Sequence, residues 1–167
     1  MRTLGVAMSF GAAMVMGLCA SSVAGAYPNQ YEGLPVGGCA YWDQASNTAG
    51  PADCDTPLAK YRLIEQVQLT PETQELDCGP EATFRYRHRT ADGYRLALYC
   101  FTYNMTVDSC WDLTDTKNPY RLDCAARQPN SERITQVFND VYPDNPCSSP
   151  AVIYDRVKLT ICVVPNS

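Results

Sequence analysis

Four cysteines from Cys39 to Cys100 are followed by four more, from Cys110 to Cys162, at nearly the same intervals. The intervening lengths are 14, 23 and 21 residues in the first set and 13, 22 and 14 in the second. The flanks echo one another. Val36-Gly37-Gly38-Cys39 answers to Val107-Asp108-Ser109-Cys110, and Leu98-Tyr99-Cys100-Phe101 to Thr160-Ile161-Cys162-Val163. Arg62 to Val67 likewise answers to Arg133 to Val137. A period of about 60 to 70 residues is long enough for each copy to be a module. Units this small bury little apolar area, so two bridges in each are physically useful. In the chain-entropy model a bridge closing about 15 residues contributes about 3 kcal/mol.

The ninth cysteine, Cys19, lies in a segment of different character. Met1-Arg2-Thr3 carries one positive charge, Leu4 to Ala20 is apolar or small, and Ala24-Gly25-Ala26 is the small-x-small pattern a signal peptidase accepts. Residues 1–26 read as an export signal cut before Tyr27. The apolar stretch is short and rich in Gly and Ala, so no transmembrane span is expected in the mature chain. A lipid anchor at Cys19 is disfavoured, because bulky Leu18 stands where a lipoprotein peptidase takes a small residue. The remaining eight cysteines form an even set in an exported chain, the setting in which thiols oxidise to bridges and persist. There is no C-x-x-C pair, His88 is the only histidine, and the aspartates lack EF-hand spacing, so neither a metal nor another cofactor is expected. With 18 acidic and 13 basic residues the charge is −5 at pH 7, which disfavours nucleic acid as a partner. The expected partner belongs to the cell envelope or the exterior, its identity open.

Residues 27–34 read as an exposed leader, 35–103 as disulfide unit one, 104–106 as a junction and 107–167 as disulfide unit two. The expected fold class is α+β, predominantly antiparallel β: two tandem disulfide-stabilised small sheet units, packed together because the junction is too short to be a tether. Lys60 to Leu69 alternates, with Tyr61, Leu63, Val67 and Leu69 on one face and a break at Ile64 and Glu65. Pro71 opens a short helix. Phe84 to Thr90 and Tyr94 to Tyr103 flank the hairpin signal Ala91-Asp92-Gly93. A two-residue loop sets Arg87 opposite Leu98. A three-residue loop with left-handed Gly93 instead sets Phe84 opposite Cys100, Tyr86 opposite Leu98 and His88 opposite Leu96. The second is preferred, and it leaves Arg85, Arg87, Arg89 and Arg95 together on the other face. Strands at 120–124, 133–142, 151–154 and 157–164 repeat the plan in unit two. There Cys162 shares a face with Lys158 and Thr160, whereas Cys100 shares one with Leu96 and Leu98. Either the two units bury opposite faces or the sheet is covered on both sides near the junction.

Confined to its own unit, each set of four cysteines allows three pairings. Neighbour pairing is favoured because each interval reads as a strand-loop-strand excursion, giving Cys39–Cys54, Cys78–Cys100, Cys110–Cys124 and Cys147–Cys162. The residues Val36-Gly37-Gly38-Cys39, Asp53-Cys54-Asp55, Ala59 to Ile64, Cys78 and Tyr99-Cys100 resemble the LppU-like and septum-formation-type small envelope modules of actinobacteria. The resemblance covers about 65 residues of the first unit and the second only loosely. It implies an envelope or secreted location and no established catalysis.

A catalytic reading pairs His88 with Arg85, Arg87, Tyr86 or Glu81, as a secreted nuclease-like hydrolase would. Strand alternation turns the arginines away from His88, which favours a half-buried structural histidine. No G-x-S-x-G motif occurs. Arg85, Arg87, Arg89 and Arg95, with Tyr99 and Tyr103 beside them, form a candidate contact face for a carboxylate, a sulfate or an anionic glycan. An ordinary solvated sheet face is the alternative. The leading expectation is a noncatalytic, disulfide-stabilised binding or structural module. The alternatives are the hydrolase and a secreted enzyme inhibitor presenting the loop Gln44 to Ala52.

Overall fold

The computed structural model describes residues 27–139 and 145–166. The export segment, Cys19 and the far end of the strand expected over 133–142 lie outside them. Strands β1 (Cys39–Asp43), β2 (Thr48–Ala52), β3 (Tyr61–Gln68), β4 (Phe84–Arg89) and β5 (Arg95–Tyr103) form one sheet in the order β2-β1-β3-β5-β4. Strands β6 (Cys110–Asp112), β7 (Tyr120–Leu122), β8 (Ser131–Phe138), β9 (Ala151–Tyr154) and β10 (Leu159–Pro165) form a second in the order β7-β6-β8-β10-β9. The two sheets share one strand order, and their pairings are antiparallel. Helix among the described residues is confined to 3-10 turns at Pro71–Thr73, Cys124–Ala126 and Asp155–Val157.

Bridges join Cys39 to Cys54, Cys78 to Cys100, Cys110 to Cys124 and Cys147 to Cys162. In each sheet the first bridge ties the opening strand to the segment after its hairpin. The second pins an irregular stretch onto the central closing strand. That stretch explains the burial of β5 on both faces. Ala97, Tyr99 and Phe101 join Tyr31, Tyr61 and Leu63 in the larger core. Leu98 and Cys100 face the other way, into a smaller cluster with Leu69 and Ala82 beneath the bridged 69–83 segment. The second sheet follows suit. Leu159, Ile161 and Val163 meet Trp111 and Ile134, while Cys162 is buried and bridged to Cys147. Both sheets are therefore covered on both sides, and the larger core of β5 is built by Ala97, Tyr99 and Phe101, not by the set that includes Cys100.

Two bulges explain where alternation misleads. In β3 the register with β5 shifts between Leu63 and Glu65. An extra residue there reverses the faces that follow. Tyr61 and Leu63 enter the larger core, whereas Leu69 and the partly buried Val67 enter the smaller one. In the hairpin, Gly93 takes the left-handed conformation (φ 89°) and the Thr90 amide donates to the Tyr94 carbonyl, as a three-residue loop requires. A second shift then intervenes between His88 and Arg89, so Arg87 lies opposite Leu98, His88 opposite Ala97 and Phe84 opposite Phe101. The preferred register is thus corrected. The loop has the expected form, but the bulge returns the body of the hairpin to the other alignment.

The exposed leader is also corrected. Tyr31 is 0% exposed and Leu34 is buried. Tyr31 sits 4.8 Å from the Phe101 ring and 5.0 Å from the Tyr86 ring, filling the hollow of the first sheet. An eight-residue stretch that looks polar overall carries two apolar anchors at a spacing of three.

The junction is not a spacer either. Asn104, 1% exposed, donates to the Cys54 and Ala59 carbonyls and accepts from Arg62. Asn166 donates to the Cys124 carbonyl and accepts from Arg133. Their backbone amides donate to Lys60 and Ser131 respectively. Each sheet ends in the same side-chain latch onto its own first bridge.

Candidate binding site

The expected arginine face exists in part, and it is largely consumed by the protein itself. Arg85 and Arg87 lie opposite Cys100 and Leu98, on the side covered by the bridged 69–83 segment. Arg85 pairs with Asp77, and Arg87 pairs with the same carboxylate at 3.1 Å while donating to the Leu76 carbonyl. The Cys78 amide, with the two guanidiniums behind it, holds the Asp77 carboxyl below its usual range. Arg95 pairs with Glu75 at 3.3 Å and donates to the Gln74 carbonyl. Arg89 is exposed and forms no ion pair among the described residues. Tyr99 does not belong to this face. It is 1% exposed in the larger core, where its hydroxyl accepts from Asn29 at 2.6 Å. Tyr103 likewise points into the molecule, stacking on Tyr61 at 6.0 Å and meeting Trp111 at 6.3 Å.

His88 is not brought to the arginines. Its Nε2 donates to the Tyr27 carbonyl at 2.8 Å, whereas Arg85 and Arg87 are engaged across the strand with Asp77. The segment Gln44 to Ala52 is not a free loop: its second half is β2, paired residue for residue with β1. No group of three His, Cys, Asp or Glu among the described residues is placed to hold a metal ion. No helix among them is long and apolar enough to cross a membrane.

A concave surface lies where the sheets meet. A cleft of about 650 Å³ is lined by Tyr41 and Trp42 of β1 and by Asn118 and Tyr120 at the β7 edge. Leu58, Lys60 and Tyr61, from the β2–β3 connection and the start of β3, also line it. Trp42 is 37% exposed and lies flat on Phe84 at 5.1 Å, with an interplanar angle of 13°. Tyr120, at the edge of the second sheet, is 63% exposed. Arg121 binds the sheets together, donating to the Cys54 and Ala59 carbonyls at 2.8 Å each.

Lys60 is the charged group of this cleft with the least conventional company. Its Nζ lies 5.4 Å from the Tyr61 ring centroid and 5.6 Å from that of Tyr120. It donates to Asn118 Oδ1 at 2.7 Å. It forms no ion pair among the described residues. Burial pushes its ammonium below the usual lysine range, with the Asp115 charge acting in the opposite sense. Two aromatic faces supply part of what water has lost, at about 0.5–1 kcal/mol each in partly exposed settings. Sequence reasoning passed over this cleft. Tyr41-Trp42, two residues beyond Cys39, was a signal, but the pairing with Tyr120 arises across two sheets and has no local signature.

No known family model, curated protein or solved structure matches the chain. The class that the molecule itself defines is a small antiparallel β protein with four disulfides. Such bridge density fits an oxidising, extracytoplasmic setting.

Proposed function

We propose that this chain is an exported, noncatalytic binding module of the cell envelope or exterior, made of two copies of one disulfide-stiffened unit. Its contact surface is the cleft between them. The observation that carries this reading is the aromatic cleft, with exposed Trp42 and Tyr120 around a lysine that forms no ion pair among the described residues. Large, rigid aromatic side chains at a concave surface are the usual anchors of recognition. The signal-like residues 1–26, the bridge density and the resemblance to LppU-like envelope modules support the address. The shared strand order and the paired Asn104 and Asn166 latches support the duplication.

A pull-down from envelope extract tests it, using the oxidised chain starting at Tyr27. The Trp42→Ala, Tyr120→Ala double variant is expected to lose the retained material while its far-UV circular dichroism and cooperative urea unfolding show that it is folded, and His88→Ala keeps the material. A turnover activity abolished by His88→Ala in a folded protein would move the assignment to the hydrolase.

A further inference from the structure

We infer that the cleft between the sheets is a subsite for an acidic sugar, whose ring lies against Trp42 and Tyr120 and whose carboxylate meets the Lys60 ammonium. This rests on the cleft being the binding surface and adds the chemistry of what it binds.

The aromatic geometry supplies the first part. One face of Trp42 is occupied by Phe84, so the indole is held as a fixed plate, and it lines the cleft. Tyr120, from the second sheet, lines the same cleft and is more exposed still. A pyranose offers an apolar C–H face to such plates and hydroxyls around its rim. Gln44 and Asn118, which also line the cleft, are neutral groups able to donate to and accept from hydroxyls.

Charge supplies the second part. Arg121, the other cation lining the cleft, is committed to two backbone carbonyls. Lys60 has ring faces and one amide oxygen instead of a carboxylate. A half-buried ammonium of this kind bonds an incoming carboxylate with both partners charged, more strongly than it bonds the neutral amide oxygen of Asn118. Asp43 and Asp115 lie nearby and oppose an anion. The carboxylate must therefore bond Lys60 directly, and a diffuse negative field would not suffice.

The test is a nuclear magnetic resonance titration of the oxidised chain starting at Tyr27. Three probes are compared: trigalacturonate, its fully methyl-esterified form, and a hexaglutamate peptide. The protein has two tryptophans, and Trp111 is fully buried, so its indole serves as an internal control for that of Trp42. Trigalacturonate is expected to shift the Trp42 indole and not that of Trp111. The ester is expected to bind at least about tenfold more weakly, the scale of a lost hydrogen bond to a charged group. Lys60→Met should abolish the preference for acid over ester, and Lys60→Arg should retain it, which separates lost charge from lost fold. Equal binding of acid and ester, or an unchanged preference in folded Lys60→Met, overturns the inference. A Trp42 shift with hexaglutamate alone overturns the sugar and leaves the cleft standing as a peptide site. Silence of Trp42 toward all three probes also overturns the sugar. In that case the double-variant pull-down still decides separately whether the cleft binds anything.

Discussion

Asn104 shows how one side chain turns a short connector into a fixed element. Its amide serves two carbonyls while its oxygen receives the Arg62 guanidinium, all at a site almost closed to water. Asn104→Ala leaves the two carbonyls to Arg121 alone and takes the side-chain acceptor from the Arg62 guanidinium, a cost of about 1–3 kcal/mol. Urea unfolding monitored by circular dichroism is expected to show a lower midpoint at unchanged slope. Buried tyrosines give a second residue-scale expectation. Burial, reinforced by Tyr103, pushes the Tyr61 hydroxyl up to about 12, and burial likewise raises Tyr86 and Tyr103. A raised phenol favours the protonated form in the folded state. Its stabilising share is complete below pH 10 and is lost as pH climbs from 10 toward 12. Lys60, lowered by burial, works in the opposite sense over its own range. Denaturant midpoints measured against pH, beside tyrosinate absorbance, are expected to fall through that alkaline window.

At the scale of elements, what could be read from the chain depended on how local the cause was. The bridge spacing, β9, the hairpin tip and the 3-10 turn after Thr70 follow from neighbouring residues. The faces of β3 and β4 do not, because the bulges beside Ile64 and Leu96 are set by pairing with β5. Ile64 and Glu65 did mark a break in alternation, but not its consequence for Val67 and Leu69. The arginine face was legible as a row of side chains and not as a surface, since its counter-charges arrive on the 74–77 stretch. The leader's role was missed because the value of Tyr31 lies in a hollow formed by strands far along the chain. Tyr31→Ala would empty that hollow and cost about 3–5 kcal/mol, as for other large aromatic truncations. Thermal or urea unfolding of the variant checks it, against Glu32→Ala as an exposed neighbour expected to change little.

For the whole molecule, the decisive arrangement is the grip of the second sheet on the first. Arg121 and Asn104 both hold the Cys54 carbonyl, next to the sulfur that bridges to Cys39. Lys60 and Tyr103 reach the other way, to Asn118 and the Lys117 carbonyl. A mild reductant opening Cys39–Cys54 would therefore not stay a local injury. It would slacken the carbonyl that two neighbours grasp, letting one half come adrift from the other and the space between them lose its shape. Damage by electrons and loss of recognition would then be a single event.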